Sequence, residues 1–128
     1  MALDGYCLCG ACRYEIDDDA VDWQALCVCE SCRRASGAPV VGWMGVARDG
    51  FRWTGDEPGR FASSPGVMRS FCPTCGTPLT FSTDKREHQI DVLAATLSDP
   101  AVFRPERVDF ADEALDWHGL HISLPPSS

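Results

Sequence analysis

Between its cysteine clusters the chain alternates short apolar stretches with turn signals, and the period is that of strands. Val40-Val41-Gly42-Trp43-Met44-Gly45-Val46 is apolar throughout and rich in β-branched and aromatic residues. Phe51-Arg52-Trp53-Thr54 alternates apolar with polar and runs into the turn Gly55-Asp56-Glu57-Pro58-Gly59. Arg60-Phe61-Ala62 and Val67-Met68-Arg69-Ser70-Phe71 flank Ser63-Ser64-Pro65-Gly66, which predicts a hairpin. Leu79-Thr80-Phe81-Ser82 leads into a charged turn at 83–87, and Gln89 to Ala94 reads as a further strand. Pro100 and Pro105 break the pattern, Ala111 to Trp117 reads as a short helical turn, and Leu124-Pro125-Pro126-Ser127-Ser128 reads as a tail. Short strands with turns about every 8–12 residues predict a mainly β architecture.

Composition changes this picture in one respect. The 128 residues fit one domain, and 45% hydrophobic content is ordinary for a globular chain with a core of its own. No apolar run approaches the roughly 18 residues of a membrane span. The N-terminus, Met1 to Gly5, lacks the basic and apolar regions of a secretory signal, so a cytoplasmic protein is expected. Net charge is -8, Lys85 is the single lysine, and the arginines are scattered, which argues against nucleic acid or an anionic membrane as partner. The exception to ordinariness is the count of eight cysteines.

Those cysteines are clustered. Cys7-Leu8-Cys9-Gly10-Ala11-Cys12 and Cys27-Val28-Cys29-Glu30-Ser31-Cys32 share the pattern C-x-C-x-x-C, and Cys72-Pro73-Thr74-Cys75-Gly76 has the form of a zinc knuckle. On a strand, residues i and i+2 face the same way, so each C-x-C is predicted to present two thiolates side by side, with a turn returning the third. Such close neighbours are poor disulfide partners and suit Zn²⁺, which takes thiolates at about 2.3 Å in a tetrahedron. Iron–sulfur ligation and plain free thiols are the alternatives. Gly76 is placed for a positive-φ turn after the second knuckle ligand. Spacing leaves open which triad joins Cys72 and Cys75. It also leaves open whether Cys12 is a ligand, giving two closed sites, or a core thiol, leaving one site with three thiolates and a free position.

The motifs Cys7-x-Cys9-Gly10, Cys27-x-Cys29-x-x-Cys32-Arg33-Arg34-x-Ser36-Gly37 and Arg69-Ser70-Phe71-Cys72-x-x-Cys75-Gly76 resemble the glutathione-dependent formaldehyde-activating enzyme family, whose domain also occurs in centromere protein V. The resemblance runs from Gly5 to Trp117, within one domain spanning residues 1–128. It implies an Mss4-like zinc-binding fold of short antiparallel strands and two zinc ions per chain. By the family pattern, Cys7, Cys9, Cys72 and Cys75 hold a structural zinc, and Cys27, Cys29 and Cys32 a catalytic-type zinc; Cys12 falls where a small core residue is expected. It also implies a carbon–sulfur lyase acting on a small thiol such as glutathione and its formaldehyde adduct. Two positions depart from the pattern: Ser98 stands where members often carry Asp, and Val108 lies where many carry His.

Three thiolates around Zn²⁺ leave a net charge of -1 and a weak Lewis acid, better matched to a soft substrate thiolate than to water activation. Arg33 and Arg34 follow the triad and are candidates to hold a substrate carboxylate, or else solvated surface residues; Ser36 with Gly37 closes the loop or is simple turn chemistry. Trp23, Trp43, Trp53 and Trp117 read first as core and alternatively as pocket lining. His88, His118 and His121 lack ligand spacing, and Asp17-Asp18-Asp19 reads as an exposed acidic loop. Two further functions compete with the enzyme: a non-catalytic binding module in which both metals are structural, and a thiol redox or metal-buffering protein.

Overall fold

Alternation along the strands explains how two sheets share one core. The computed structural model describes residues 2–118 and 125–127. In chain order its strands are β1 (Ala2–Tyr6), β2 (Arg13–Asp17), β3 (Val21–Cys27), β4 (Val41–Ala47), β5 (Phe51–Trp53), β6 (Gly59–Ser64), β7 (Val67–Phe71), β8 (Pro78–Thr83), β9 (Gln89–Leu93) and β10 (Arg107–Asp109). One helix, α1 (Glu30–Ser36), joins β3 to β4. A three-stranded sheet runs β1-β2-β5, and a seven-stranded sheet runs β10-β3-β4-β9-β8-β7-β6. Every pairing is antiparallel except that of β10 with β3. The mainly β expectation holds. Among the described residues no helix is long and apolar enough to cross a membrane.

The core lies between the sheets. Tyr14 and Ile16 of β2 are fully buried, while Arg13 at the start of the strand is exposed. They meet Met44 and Val46 of β4, Leu79 of β8 and Ile90 and Val92 of β9. Burying each such side chain contributes roughly 1.5–3 kcal/mol before entropy is subtracted. The Tyr14 hydroxyl bonds Thr96 Oγ1 at 2.7 Å, which keeps its polar end satisfied. Gly5 is required beneath this ring, since a Cβ there would lie 2.2 Å from the Tyr14 hydroxyl.

The opposite parity of β4 and β9 faces away from that core. Trp43, Asp91 and Leu93 are turned to the other face of the larger sheet, where they line a cleft. A strand covered on both faces reads as a continuous apolar run, and this is why Val41 to Val46 shows no alternation. Gly45 makes room there, because a Cβ would come within 2.1 Å of the Trp23 indole laid across it.

Observed strands match the expected ones over β4 to β9, with the hairpin turn tightened to Pro65-Gly66. Two expectations change. Cys7 and Cys9 lie on a turn after β1 and not on a strand, and only Cys27 of the second pair is a strand residue. The chain end is not merely a tail: Pro126 bridges Val108, whose N–H bonds Pro125 O at 2.9 Å and whose carbonyl accepts from Ser127 at 2.9 Å. The expected helical turn over 111–117 is a pair of 3-10 turns, Ala111–Glu113 and Asp116–His118.

Candidate metal centres and cleft

Two interlocking turns build the first centre. After β1 the chain folds back through the bonds Cys7 N–H to Cys12 O (3.1 Å) and Gly10 N–H to Cys7 O (3.0 Å), with Gly10 at φ 81. The second turn mirrors it, with Gly76 N–H to Cys72 O at 2.8 Å and Gly76 at φ 82. That left-handed conformation is one a side chain resists. Thr77 ties the turns together, its hydroxyl accepting from Leu8 N–H at 3.0 Å and lying 3.1 Å from Cys75 Sγ. The result brings Cys7, Cys9, Cys72 and Cys75 into one group with all four sulfurs within 4.8 Å of one another. Cys7 to Cys9 is 3.7 Å and Cys9 to Cys72 is 3.8 Å. Four sulfurs set about 2.3 Å from a central zinc form a tetrahedron with edges of about 3.8 Å, so the donor set fits the ion. Backbone N–H groups of Cys12 and Cys75 donate to the sulfurs of Cys7 (3.3 Å) and Cys72 (3.5 Å), and the Cys75 bond holds the Cys72 thiol below its ordinary value. Hydrogen bonds from the Thr77 hydroxyl, then the Thr77 and Cys9 backbones, hold Cys75 down at about 5.

The second centre forms where β3 ends and α1 begins. Cys27 is the last residue of β3, Cys29 is the N-cap of α1, and Cys32 lies in its first turn. Cys29 Sγ accepts the Cys32 N–H at 3.3 Å and lies 3.3 Å from Cys27 Sγ. At the other end Gly37, at φ 75, returns its N–H to Arg33 O at 2.7 Å. Ser36 Oγ donates to Cys32 O at 2.7 Å and accepts from Ala38 at 3.1 Å, so Ser36 closes this turn. The three sulfurs lie within 4.8 Å of one another, and among the described residues no fourth Cys, His, Asp or Glu joins them. The Cys27 hydrogen bond, followed by those of Trp43 and Cys29 and the charge of Arg69, brings Cys32 down to about 6 against its burial. Cys27 moves up in turn, first through its bond to Cys32 and then through burial.

Cys12 belongs to neither group. It is fully buried in the core beside Cys7 and Cys72, on the side away from the triad. Burial, then the bond to and charge of Cys72, push its thiol up to about 12. It does not complete the second centre. All eight cysteines are unbridged.

The triad opens on a cleft of about 1170 Å³ over the outer face of the seven-stranded sheet. Ligand sites commonly fall near 300–1,000 Å³. Trp43 and Phe81 wall it with ring centroids 6.1 Å apart, and Trp43 packs with Cys27 and Cys32. At the floor the Ser70 and Thr80 hydroxyls share a buried hydrogen bond. Phe110, at φ 61 and exposed, stands at the rim just after β10. It is the single non-glycine with positive φ among the described residues, a costly conformation for an aromatic residue.

The structure sorts the remaining candidates. Arg34 and Ser36 line the cleft, but Arg34 is paired with Glu30 at 2.7 Å on the helix surface. Arg33 is not among the described cleft residues, and its Nε is buried with no hydrogen-bond partner among the described residues. Trp23 and Trp43 line the cleft, Trp53 packs on Phe51 and Tyr14, and Trp117 is exposed at 72%, which corrects its core assignment. His88 is exposed, His118 ends a 3-10 turn, and His121 lies outside the described residues. Asp18 and Asp19 are exposed, whereas Asp17 ends β2 and pairs with Arg52 at 3.1 Å. Val108 is fully buried in β10 and Ser98 is exposed, bonding Asp4 O through its N–H at 2.8 Å; neither lines the cleft. The two departures from the family motif therefore lie away from it.

Sequence reasoning passed over Arg69 and Phe81 as cleft residues. Their register is the signal: Arg69 pairs with Phe81 and Phe81 with Asp91, so the three share one face.

No curated protein matches the chain. A crystal structure of a protein from Rhodobacter sphaeroides matches 97% of this chain and 99% of its own with a TM-score of 0.59 at 18% identity, a likeness of fold. The model of the glutathione-dependent formaldehyde-activating enzyme family matches residues 2–113, and with its cysteine groups assembled as described the chain belongs to that family.

Proposed function

We propose that the protein is a zinc-dependent carbon–sulfur lyase that makes and breaks the adduct between a small thiol, glutathione in the first case, and formaldehyde. In this account the chain is one domain working in the reducing cytoplasm, consistent with eight unbridged cysteines. Cys7, Cys9, Cys72 and Cys75 hold a structural zinc. Cys27, Cys29 and Cys32 hold a second, which when bound supplies an open position for a soft thiolate ligand and lowers that thiol's pKa. The observation that carries the reading is the triad itself: three converging sulfurs, no fourth ligand among the described residues, and a large cleft in front of them.

The chain's own residues then have definite tasks. Trp43 and Phe81 form an apolar wall beside the triad that excludes water from the sulfur. Cys29 is oriented by the Cys32 N–H, and Ser36 locks the turn behind it. In the forward direction the substrate sulfur attacks the aldehyde carbon, a C–S bond forms, the C=O π pair moves to oxygen, and the thiol's proton ends on that oxygen as the S-hydroxymethyl adduct. The reverse reaction breaks the same bond.

Calorimetric titration of glutathione into protein assayed at two zincs per chain tests this, with Cys29→Ser as control. Saturable binding that disappears in the control is expected. With two zincs present, absence of binding removes glutathione from the account.

A further inference from the structure

Charge in the cleft runs against that of the chain. The protein carries 11 Lys and Arg against 19 Asp and Glu. Yet Arg34, Arg69, Lys85, Arg86 and Arg107 line the cleft, and among the described residues the acidic ones there are Asp91 and Asp109. Most of these cations are committed elsewhere. Arg86 forks onto Asp91 at 2.9 and 2.8 Å, and Arg107 bonds Asp109 at 2.9 Å while lying 4.9 Å from the Trp23 ring. Arg34 is held by Glu30 on the helix surface. Lys85 is exposed in the turn Asp84–Arg86, at the far end of β8 from the triad.

Arg69 is different. It is half-buried, and among the described residues no carboxylate lies within ion-pair distance of it. Its guanidinium sits 4.9 Å from the centroid of Phe81, the ring that meets Trp43 edge-on beside Cys27 and Cys32. The aromatic face fixes the position of the cation but leaves its N–H donors without a carboxylate among the described residues. The Arg69 charge is felt at Cys32, and a bound carboxylate would pair with those donors through the guanidinium fork.

We propose that Arg69 is the specificity-determining residue of this cleft. It binds a carboxylate of a ligand whose sulfur faces Cys27, Cys29 and Cys32, and so selects anionic thiols over neutral ones. The inference rests on the thiol reading above and adds the ligand class and the residue that chooses it.

The test compares glutathione with its diethyl ester, and S-methylglutathione with its diethyl ester, by calorimetry on protein holding two zincs per chain. Wild type is expected to prefer each acid over its ester by about tenfold or more, the scale of one hydrogen-bonded charge pair. In Arg69→Met and Arg69→Gln the preference should fall to within about twofold, with ester affinity little changed, while Arg69→Lys should keep part of it. Zinc content and near-ultraviolet circular dichroism certify each variant, and the Gln and Lys variants serve if the Met variant does not fold. A preference that survives in both neutral variants, or that wild type lacks, overturns the proposal. So does a loss of zinc from the triad with the preference intact, which would make Arg69 a counter-charge to the thiolates. S-methylglutathione has no free thiol, so its preference reads Arg69 separately. If Cys29→Ser alters neither glutathione nor S-methylglutathione binding, the thiol reading fails while the anchor is still decided by the acid–ester comparison.

Discussion

Cys7, Cys9, Cys72 and Cys75 come from two turns that lock onto each other against the core, whereas Cys27, Cys29 and Cys32 come from a strand end and a helix start that face a cleft. Both groups are all-thiol, and in both, backbone N–H groups donate to sulfur. They differ in what surrounds the donors. The first centre joins segments 63 residues apart, as in Cys9 to Cys72, so a metal bound there would staple the fold. The second centre draws on six consecutive residues, Cys27 to Cys32, and closes no long loop. Ligand chemistry alone does not separate a structural from a working metal; the span of chain it joins and the space in front of it do.

The strongest way to break this contrast is Cys72→Ser. Structural zinc in small domains carries about 10–16 kcal/mol of apparent binding energy, comparable with the roughly 5–15 kcal/mol stability of a whole domain. The variant should therefore lose its cooperative thermal transition in far-ultraviolet circular dichroism. A variant that melts near wild type would mean that the first centre is dispensable. A chelator titration followed by a chromogenic zinc indicator sharpens the same point. The triad has fewer ligands, so its metal should leave first, with no change in circular dichroism, and the second release should coincide with unfolding. Simultaneous release would erase the distinction. The smallest expected effect is that of Cys12→Ala. Cys12 packs in the core without belonging to either sulfur group, so both zincs should remain and stability should fall by only about 1 kcal/mol, read from a denaturant midpoint. Loss of a zinc would make Cys12 a ligand.

Much of this organisation was legible in the residues, and the exceptions have physical reasons. Strands β4 to β9 showed themselves through β-branched and aromatic runs bounded by Gly, Pro and charge. Strand β2 has the same signature, with Tyr14 and Ile16 buried and Glu15 between them, but it runs straight from the first cysteine cluster into the acidic residues Asp17 to Asp19, with no Gly or Pro turn of its own to bound it. Helix α1 carries no apolar period over Glu30 to Ser36, because Cys32 is its one buried residue and the others are polar or exposed. Its stop was readable in Ser36-Gly37 and its start was not, since a cysteine sulfur does the capping. The expectation that Cys7 and Cys9 sit on a strand failed because Gly10, with positive φ, turns the chain just after them.

The sequence by itself determined the donor chemistry, the clustering of the cysteines and a mainly β chain, because these depend on residue type and short spacing; the division of the cysteines into two groups came from the family resemblance and not from spacing. The tertiary structure brings the first pair together with Cys72 and Cys75 and sets Cys12 apart from the triad, and it alone shows that Arg69 stands in the cleft with no carboxylate among the described residues on it. Those facts depend on which strands become neighbours and in what register. A one-residue shift between β7 and β8 would turn Arg69 to the opposite face of the sheet, and nothing in its local sequence records which face that is.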